Sequence, residues 1–223
     1  MNIFNIFRRG AGKESDVYDY SEEEADKVES FISENFGHFD SVFHEFASDE
    51  IHVDICIIPP TNERNFITLV TMGMGAKKMN VPSDMKDQPR SRAELLICLP
   101  PDWPLSKDSL EEGKWYWPIY LLKTLTRLPF GENSWIGYGH SIEFGEPFDE
   151  STQQKGAMLV NPQFADSSQC SLTKRKVINF YQIIPLYKEE MDFKMEHDAE
   201  ELLKFFTKED MIVNPIRKSV LNR

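Results

Sequence analysis

Residues 51–58 read Ile51-His52-Val53-Asp54-Ile55-Cys56-Ile57-Ile58. Val53, Ile55 and Ile57 fall on one face of a strand, and His52, Asp54 and Cys56 fall on the other, by the two-residue period of extended chain. Residues 41–46 form a matching flank, and Ala47-Ser48-Asp49-Glu50 supplies turn chemistry between them. A hairpin over 41–46 and 51–58 follows. A turn centred between Ser48 and Asp49 sets Glu45 across from His52. That register gathers Glu45, His52 and Asp54 on one face and points His44 the other way.

Outward from the hairpin, Pro59-Pro60-Thr61-Asn62 breaks the run. Residues 66–72 predict a third strand closed by Gly73-Met74-Gly75, and 76–91 is a polar loop with Pro82 and Pro89. Ala93–Leu99 is a fourth, fully buried strand before Pro100-Pro101. A short helical turn near 107–112 precedes a helix over 118–128. Pro118 suits its first position, and it is expected to stop before Pro129. Residues 133–144 run through Gly137 and Gly139 into a strand, and 157–160 and 177–184 are strands. Lys174-Arg175-Lys176 is a charged turn between strands. Residues 186–206 return to helical spacing, as one helix or two joined near His197. Upstream, Ser21 and Glu24 make a capping box for a helix over 22–36. Helix, strands, helix, strands, helix is the order of an α+β domain, not of a doubly wound parallel sheet. One domain is expected over 21–216, with a mixed or mostly antiparallel sheet covered by helices. Residues 1–20 are a tail or short strand, and 217–223 a tail.

The chain has 223 residues, with 25 Lys and Arg against 37 Asp and Glu, a formal charge of −12. That balance disfavours a nucleic-acid binder, which needs a basic surface, and admits a basic protein partner. No apolar run approaches the ~20 residues of a membrane span. Residues 1–10 place Ile3, Phe4, Ile6 and Phe7 before Arg8 and Arg9, the reverse of a secretory signal, so a cytoplasmic setting is expected. Cys56, Cys98 and Cys170 have no metal-ligand spacing, and the first two lie in apolar runs that read as buried thiols. Phosphate-binding glycine loops, HExxH and GxSxG are absent. Glu45, His52 and Asp54 carry the residue types of a metal site or an acid–base pair, and equally those of a structural cluster. Trp103, Trp115, Trp117 and Trp135 are core packing or an aromatic partner surface. Eight acids and four lysines between Tyr187 and Glu209 form the wet face of a helix or an acidic docking surface.

Several runs together resemble the suppressor-of-fused domain family, in its bacterial single-domain members. They are Phe43-His44-Glu45-Phe46, Ile51-His52-Val53-Asp54-Ile55, Ile58-Pro59-Pro60-Thr61 and Thr68-Leu69-Val70-Thr71-Met72-Gly73-Met74. Next come Arg92-Ala93-Glu94-Leu95, Leu99-Pro100-Pro101-Asp102-Trp103, Trp117-Pro118-Ile119 and Leu128-Pro129. Trp135-Ile136-Gly137-Tyr138-Gly139-His140-Ser141-Ile142 follows, then the run from Phe180 to Met191, Glu196-His197 and Asn214-Pro215. The resemblance implies a non-enzymatic protein-binding domain with no cofactor and no metal. The animal relative grips a short peptide as an added strand between two domains, and this chain is too short to carry the second. Bacterial membership implies a protein or peptide partner, with an immunity protein that neutralises a basic toxin by stoichiometric binding as the sharper form. The segment aligned with the animal peptide contact is 138–144. The expected partner-binding residues are Tyr138, Gly139, His140 and Ser141, with Glu45, His52 and Asp54. The alternative is a metal-dependent or acid–base enzyme built on Glu45, His52 and Asp54.

Overall fold

The computed structural model describes residues 17–45, 48, 50–85, 90–111 and 114–223. Most of the expected N-terminal tail, Phe46 of the first strand, Ala47 and Asp49 of the hairpin turn, Pro89 and Glu112 lie outside the described residues. The sheet is eight-stranded. Its strands are β1 (Ser41–Phe43), β2 (Asp54–Ile58), β3 (Ile67–Met72), β4 (Ala93–Leu99), β5 (Ser141–Glu143), β6 (Gly156–Val160), β7 (Gln169–Thr173) and β8 (Lys176–Leu186). The spatial order is β1-β2-β3-β4-β8-β6-β5, and β7 also pairs with β8. Among the named strands β4 and β8 pair in parallel and the other pairings are antiparallel. The fold is α+β with a mixed, mostly antiparallel sheet, as expected.

Both sheet faces are covered. Ile55, Leu69, Leu95, Ile97 and Ile183 pack against α3 (Trp117–Gly131) through Ile119, Leu122 and Leu125. The opposite face splits in two. Cys56, Val70, Leu96 and Phe180 meet Val28 and Ile32 of α1 (Glu22–Asn35). Met158, Val160 and Ile184 meet Met191 of α4 (Lys188–Glu196) and Leu202 of α5 (Ala199–Leu203). β3 and β4, covered on both sides, are buried at every position, which is why they read as unbroken apolar runs. Gly156 lets α4 lie close to β6, since a Cβ there would meet the Met191 Sδ at 2.6 Å. A short helix, α2 (Lys107–Glu111), precedes α3.

The capping box of α1 is present as expected, with the Glu24 N–H donating to Ser21 and the Ser21 N–H to the Glu24 carboxylate. The 186–206 stretch is two helices, and His197 caps the first. Three expectations are corrected. The β1–β2 register is Ser41 with Ile57, Val42 with Cys56 and Phe43 with Ile55, one residue from the expected one. Burial decides it: Phe43 and Ile55 join one core cluster, Val42 and Cys56 the other, whereas the expected register would oppose Phe43 to Asp54. Helix α3 continues through Pro129, which sits in its last turn, where the missing N–H removes a single helical bond. Residues 133–144 hold only the three-residue β5, because 137–140 form a turn with Gly139 at φ +76° and the His140 N–H donating to the Gly137 carbonyl at 3.1 Å.

The last residues, set apart as a tail in the sequence, pack onto the domain. Arg217 is 7% exposed and forms a two-pronged pair with the buried Glu190, at 2.5 and 2.7 Å. Its Nη2 also donates to the Pro185 carbonyl at 2.9 Å, and the Val220 N–H donates to Glu190 at 2.8 Å. Removing one partner of such a buried pair costs about 3–5 kcal/mol, because a charge is left without a counterion. Arg217→Ala is therefore expected to lower the urea midpoint by that equivalent, and Arg217→Met with Glu190→Leu to recover much of it. An unchanged midpoint in the single variant would remove this pair from the stability of the domain.

Candidate functional site

The expected site residues fall in two places. Glu45, His52 and Asp54 lie at the β1–β2 end of the sheet. Tyr138, Gly139, His140 and Ser141 lie at the β5 end. Strands β3, β4, β8 and β6 stand between β2 and β5, and at ~4.8 Å per strand the two groups are roughly 24 Å apart. The fold does not join them into one site.

At the hairpin, the observed register places His44 opposite Asp54, so His44 belongs to the cluster that sequence spacing excluded it from. Asp54 sits between two imidazoles, with His44 Nδ1 at 3.0 Å and His52 Nε2 at 3.2 Å. It also accepts the Glu45 N–H at 2.9 Å. The Glu45 carboxylate is occupied elsewhere. It accepts the Val53 N–H at 3.1 Å and the Ser48 hydroxyl at 2.6 Å, and it pairs with Arg127 of α3. Ser48 Oγ in turn lies 3.2 Å from His52 Nδ1. These bonds close the hairpin and tie it to α3. Among the described residues no group of three or more His, Cys, Asp or Glu side chains is placed to hold a metal ion.

The hydrogen bond to Asp54 raises the His52 pKa above its ordinary 6.5 against the opposing effect of burial. Burial pushes Asp54 up, and the bonds from His52 and the Glu45 N–H overcome it and hold the carboxyl below its ordinary range. A raised histidine pKa stabilises the fold fully below the unfolded value and ceases to do so as pH rises through the folded one. A depressed aspartate pKa stabilises above the unfolded value, and that contribution is lost as pH falls through the folded one. As pH rises above about 6.5, then, the wild-type melting temperature is expected to fall relative to that of His52→Asn. Parallel melting curves across that range would show that the His52 proton plays no part in stability.

At the other end, β5 is an edge strand paired, among the described residues, only with β6, as Ser141 with Met158, Ile142 with Ala157 and Glu143 with Gly156. The Leu159 N–H donates to the His140 carbonyl at 2.9 Å, and the Phe144 N–H to the Lys155 carbonyl at 2.8 Å. Even-numbered positions therefore face β6. By the antiparallel alternation, the N–H and C=O of Ser141 and Glu143 point away from the sheet. No backbone bond from them in that direction forms among the described residues. The Gly139 N–H donates to the Leu159 carbonyl at 2.8 Å, which ties the turn before β5 to β6. The His140 ring lies 4.3 Å from that of Trp135, and burial, with Lys194 and Arg90 adding, lowers its pKa, which favours the neutral ring.

The surroundings of β5 were not foreseen from the sequence. The hydroxyl of Tyr138, which is 37% exposed, bonds to Glu200 of α5, and the Ala199 Cβ is 3.4 Å from where a Gly139 Cβ would stand. The acidic α4–α5 segment thus borders the turn that leads into β5. Of its acids, Glu190 is buried in the pair with Arg217, and Met195 and Phe205 are exposed apolar residues on the same helical corner. Trp103 contacts Trp115 and Trp117, and Trp117 stacks on Phe148 at 5.2 Å, so these three are core packing; Trp135 alone adjoins β5 through His140. Cys56 and Cys98 are buried, and burial pushes both thiols up, Cys98 to about 12.

An α+β domain whose mixed sheet ends in a short, unpaired edge strand is the class that these features define. The chain belongs to the suppressor of fused family, whose family profile matches residues 49–218. It is 26% identical over 208 residues to the uncharacterized protein UU111 of Ureaplasma parvum serovar 3, covering 91% of this chain and 98% of that one. A suppressor-of-fused homologue from Neisseria gonorrhoeae superposes with a TM-score of 0.64 at 16% identity, over 90% of this chain and 98% of the other. A chain of the Sufu–Fu complex superposes at 0.61 and 14% identity, over 89% and 91%. Drosophila Suppressor of Fused superposes at 0.54 and 14% identity, over 76% of this chain and 43% of that one, so this chain spans less than half of the Drosophila protein. Among the described residues no helix is long and apolar enough to cross a membrane.

Proposed function

We propose that this chain is a non-enzymatic, stoichiometric protein-binding domain that captures an extended segment of its partner along the free edge of β5. The observation that carries the reading is the outward-facing backbone of Ser141 and Glu143 on an unpaired edge. Strand addition uses such groups for affinity and the neighbouring side chains for selection. Tyr138, Gly139, His140 and Ser141 are the residues at that edge. Gly139 keeps the approach narrow in bulk, and neutral His140 offers a hydrogen-bonding ring without charge. Family membership supports the reading, since a family member is seen in the Sufu–Fu complex. Glu45, His52 and Asp54 serve a different purpose in this proposal: they hold the hairpin to α3.

The partner is a basic protein. A formal charge of −12 and the acidic α4–α5 corner beside Tyr138 favour one, through steered association that weakens with salt. A toxin neutralised by an immunity protein has this chemistry and is the sharper form of the proposal. Affinity capture from the native host at low and then high salt, with mass spectrometry of the eluate, tests it. The expected result is one basic protein at near-equal stoichiometry, released by salt. An acidic or salt-indifferent partner would overturn the charge argument.

A further inference from the structure

Beyond the edge strand, a cavity of about 220 Å³ opens where β8 passes from one partner strand to another. β6 pairs with β8 from Gln182 onward, and β7 pairs with it up to Asn179. Asn179 and Tyr181, on the same face of β8 by the two-residue period, form the floor, at 5% and 6% exposure. Trp135, Tyr138, Arg90 and Asn161 also line it.

The floor is pre-organised. The Asn179 amide donates to the Arg92 carbonyl at 3.0 Å and accepts from Gln169 at 2.9 Å. The Tyr138 N–H donates to the Tyr181 hydroxyl. Gly137 admits the Trp135 ring, since a Cβ there would stand 2.9 Å from the indole. Among the described residues Arg90 is the single charged side chain that lines the space, and no carboxylate does. Burial raises the Tyr181 pKa, and Arg90 opposes the rise, so the guanidinium field reaches the floor.

We propose that this cavity binds a small carboxylic acid bearing a flat ring, with its carboxylate on Arg90 and the Tyr181 hydroxyl and its ring against the Trp135 indole. A guanidinium with no lining acid among the described residues favours an anion. Charge-assisted bonds from guanidinium and phenol are the strong contacts available to a carboxylate. The volume equals about seven waters' share of the liquid, which bounds the ligand to roughly the size of a single substituted ring.

Benzoate is the probe, and benzamide its uncharged isostere, each titrated into the full chain by NMR. Benzoate is expected to bind with Kd on the order of 1 mM, and benzamide about tenfold more weakly. Arg90→Met should lose at least that tenfold factor. Ser168→Trp, which fills the cavity, should abolish binding while the melting temperature holds. Glu143→Pro on the edge strand should leave benzoate affinity unchanged, which separates this site from partner capture. Equal affinity for both probes, no binding at ten times the stated concentration, or full affinity in Arg90→Met would each overturn the proposal.

Discussion

Glu94→Leu is expected to prevent folding. Glu94, the second residue of β4, has no exposure, and its carboxylate accepts four hydrogen bonds. Oε1 takes the Tyr20 hydroxyl at 2.7 Å and the Gly73 and Gly75 N–H groups at 2.9 Å each, and Oε2 takes the Thr71 hydroxyl at 2.6 Å. Thr71 is committed to this donation, because its oxygen accepts the Leu95 N–H at 2.8 Å. Every partner is a donor, which is the arrangement an ionised carboxylate needs; burial holds its pKa above the ordinary value, and these donors oppose that rise in part. Leucine would leave four buried donors unmet at about 1–3 kcal/mol each, a sum comparable with the whole stability of a domain, about 5–15 kcal/mol. Glu94→Gln keeps the shape and one acceptor oxygen, so it should fold with a loss of about 2 kcal/mol. Urea unfolding of the two variants checks this. A cooperative, near-wild-type transition in Glu94→Leu would mean that water or a rearranged turn satisfies those donors.

That cluster shows how far the sequence could be read. An acid inside Ala93-Glu94-Leu95-Leu96-Ile97-Cys98-Leu99 is legible as an anomaly in a buried strand, but its partners come from Tyr20, Thr71 and the glycine turn. Nothing local announces that Gly73 and Gly75 are glycines because the turn must wrap a carboxylate. A Cβ at Gly73 would lie 1.9 Å from the His52 carbonyl oxygen, and one at Gly75 would lie 2.2 Å from the Tyr20 hydroxyl. The strands and helices themselves were legible wherever the period was long and unbroken: α1 with its capping box, β3, β4, the centre of β8 and the two-helix option at His197. The failures were of register and of non-local pairing. Turn composition gives a β1–β2 register one residue from the one that packing of Phe43 and Val42 on opposite faces fixes, and that error leaves His44 out of the cluster. β7 carries a plain alternation, with Cys170 and Leu172 inward, but its five residues are recognisable only once β8 supplies the partner. The cavity at Arg90 was invisible because its lining comes from separate stretches of chain that the β6–β8–β7 handover brings together.

Glu143→Pro is expected to lower partner affinity by about a hundredfold while the domain stays folded. The argument rests on parity along β5. Ile142 shares the even phase of His140 and Phe144, whose backbone groups bond to β6, so a proline at 142 would remove a ladder bond to Ala157 and weaken the sheet. Position 143 has the opposite phase. Its N–H points outward, so proline removes nothing that the isolated domain uses, and an edge strand tolerates the ring. Ile142, the residue before it, is already extended, as a residue preceding proline must be. The Glu143 side chain is no obstacle, because its pair with Lys155 at 3.4 Å is exposed and contributes little. What proline does remove is one donor to an added strand, about 1 kcal/mol, and it places a ring where the incoming backbone must lie. A hundredfold loss represents roughly 2.8 kcal/mol, so the clash of the ring with the incoming backbone is the larger part of it. Quantitative capture from the native host, followed by calorimetry with the captured partner, measures the loss, and melting temperatures of Glu143→Pro and Ile142→Pro supply the folding control. Wild-type affinity in a folded Glu143→Pro would place the partner elsewhere on the surface, and the edge of β5 would then have no role in recognition.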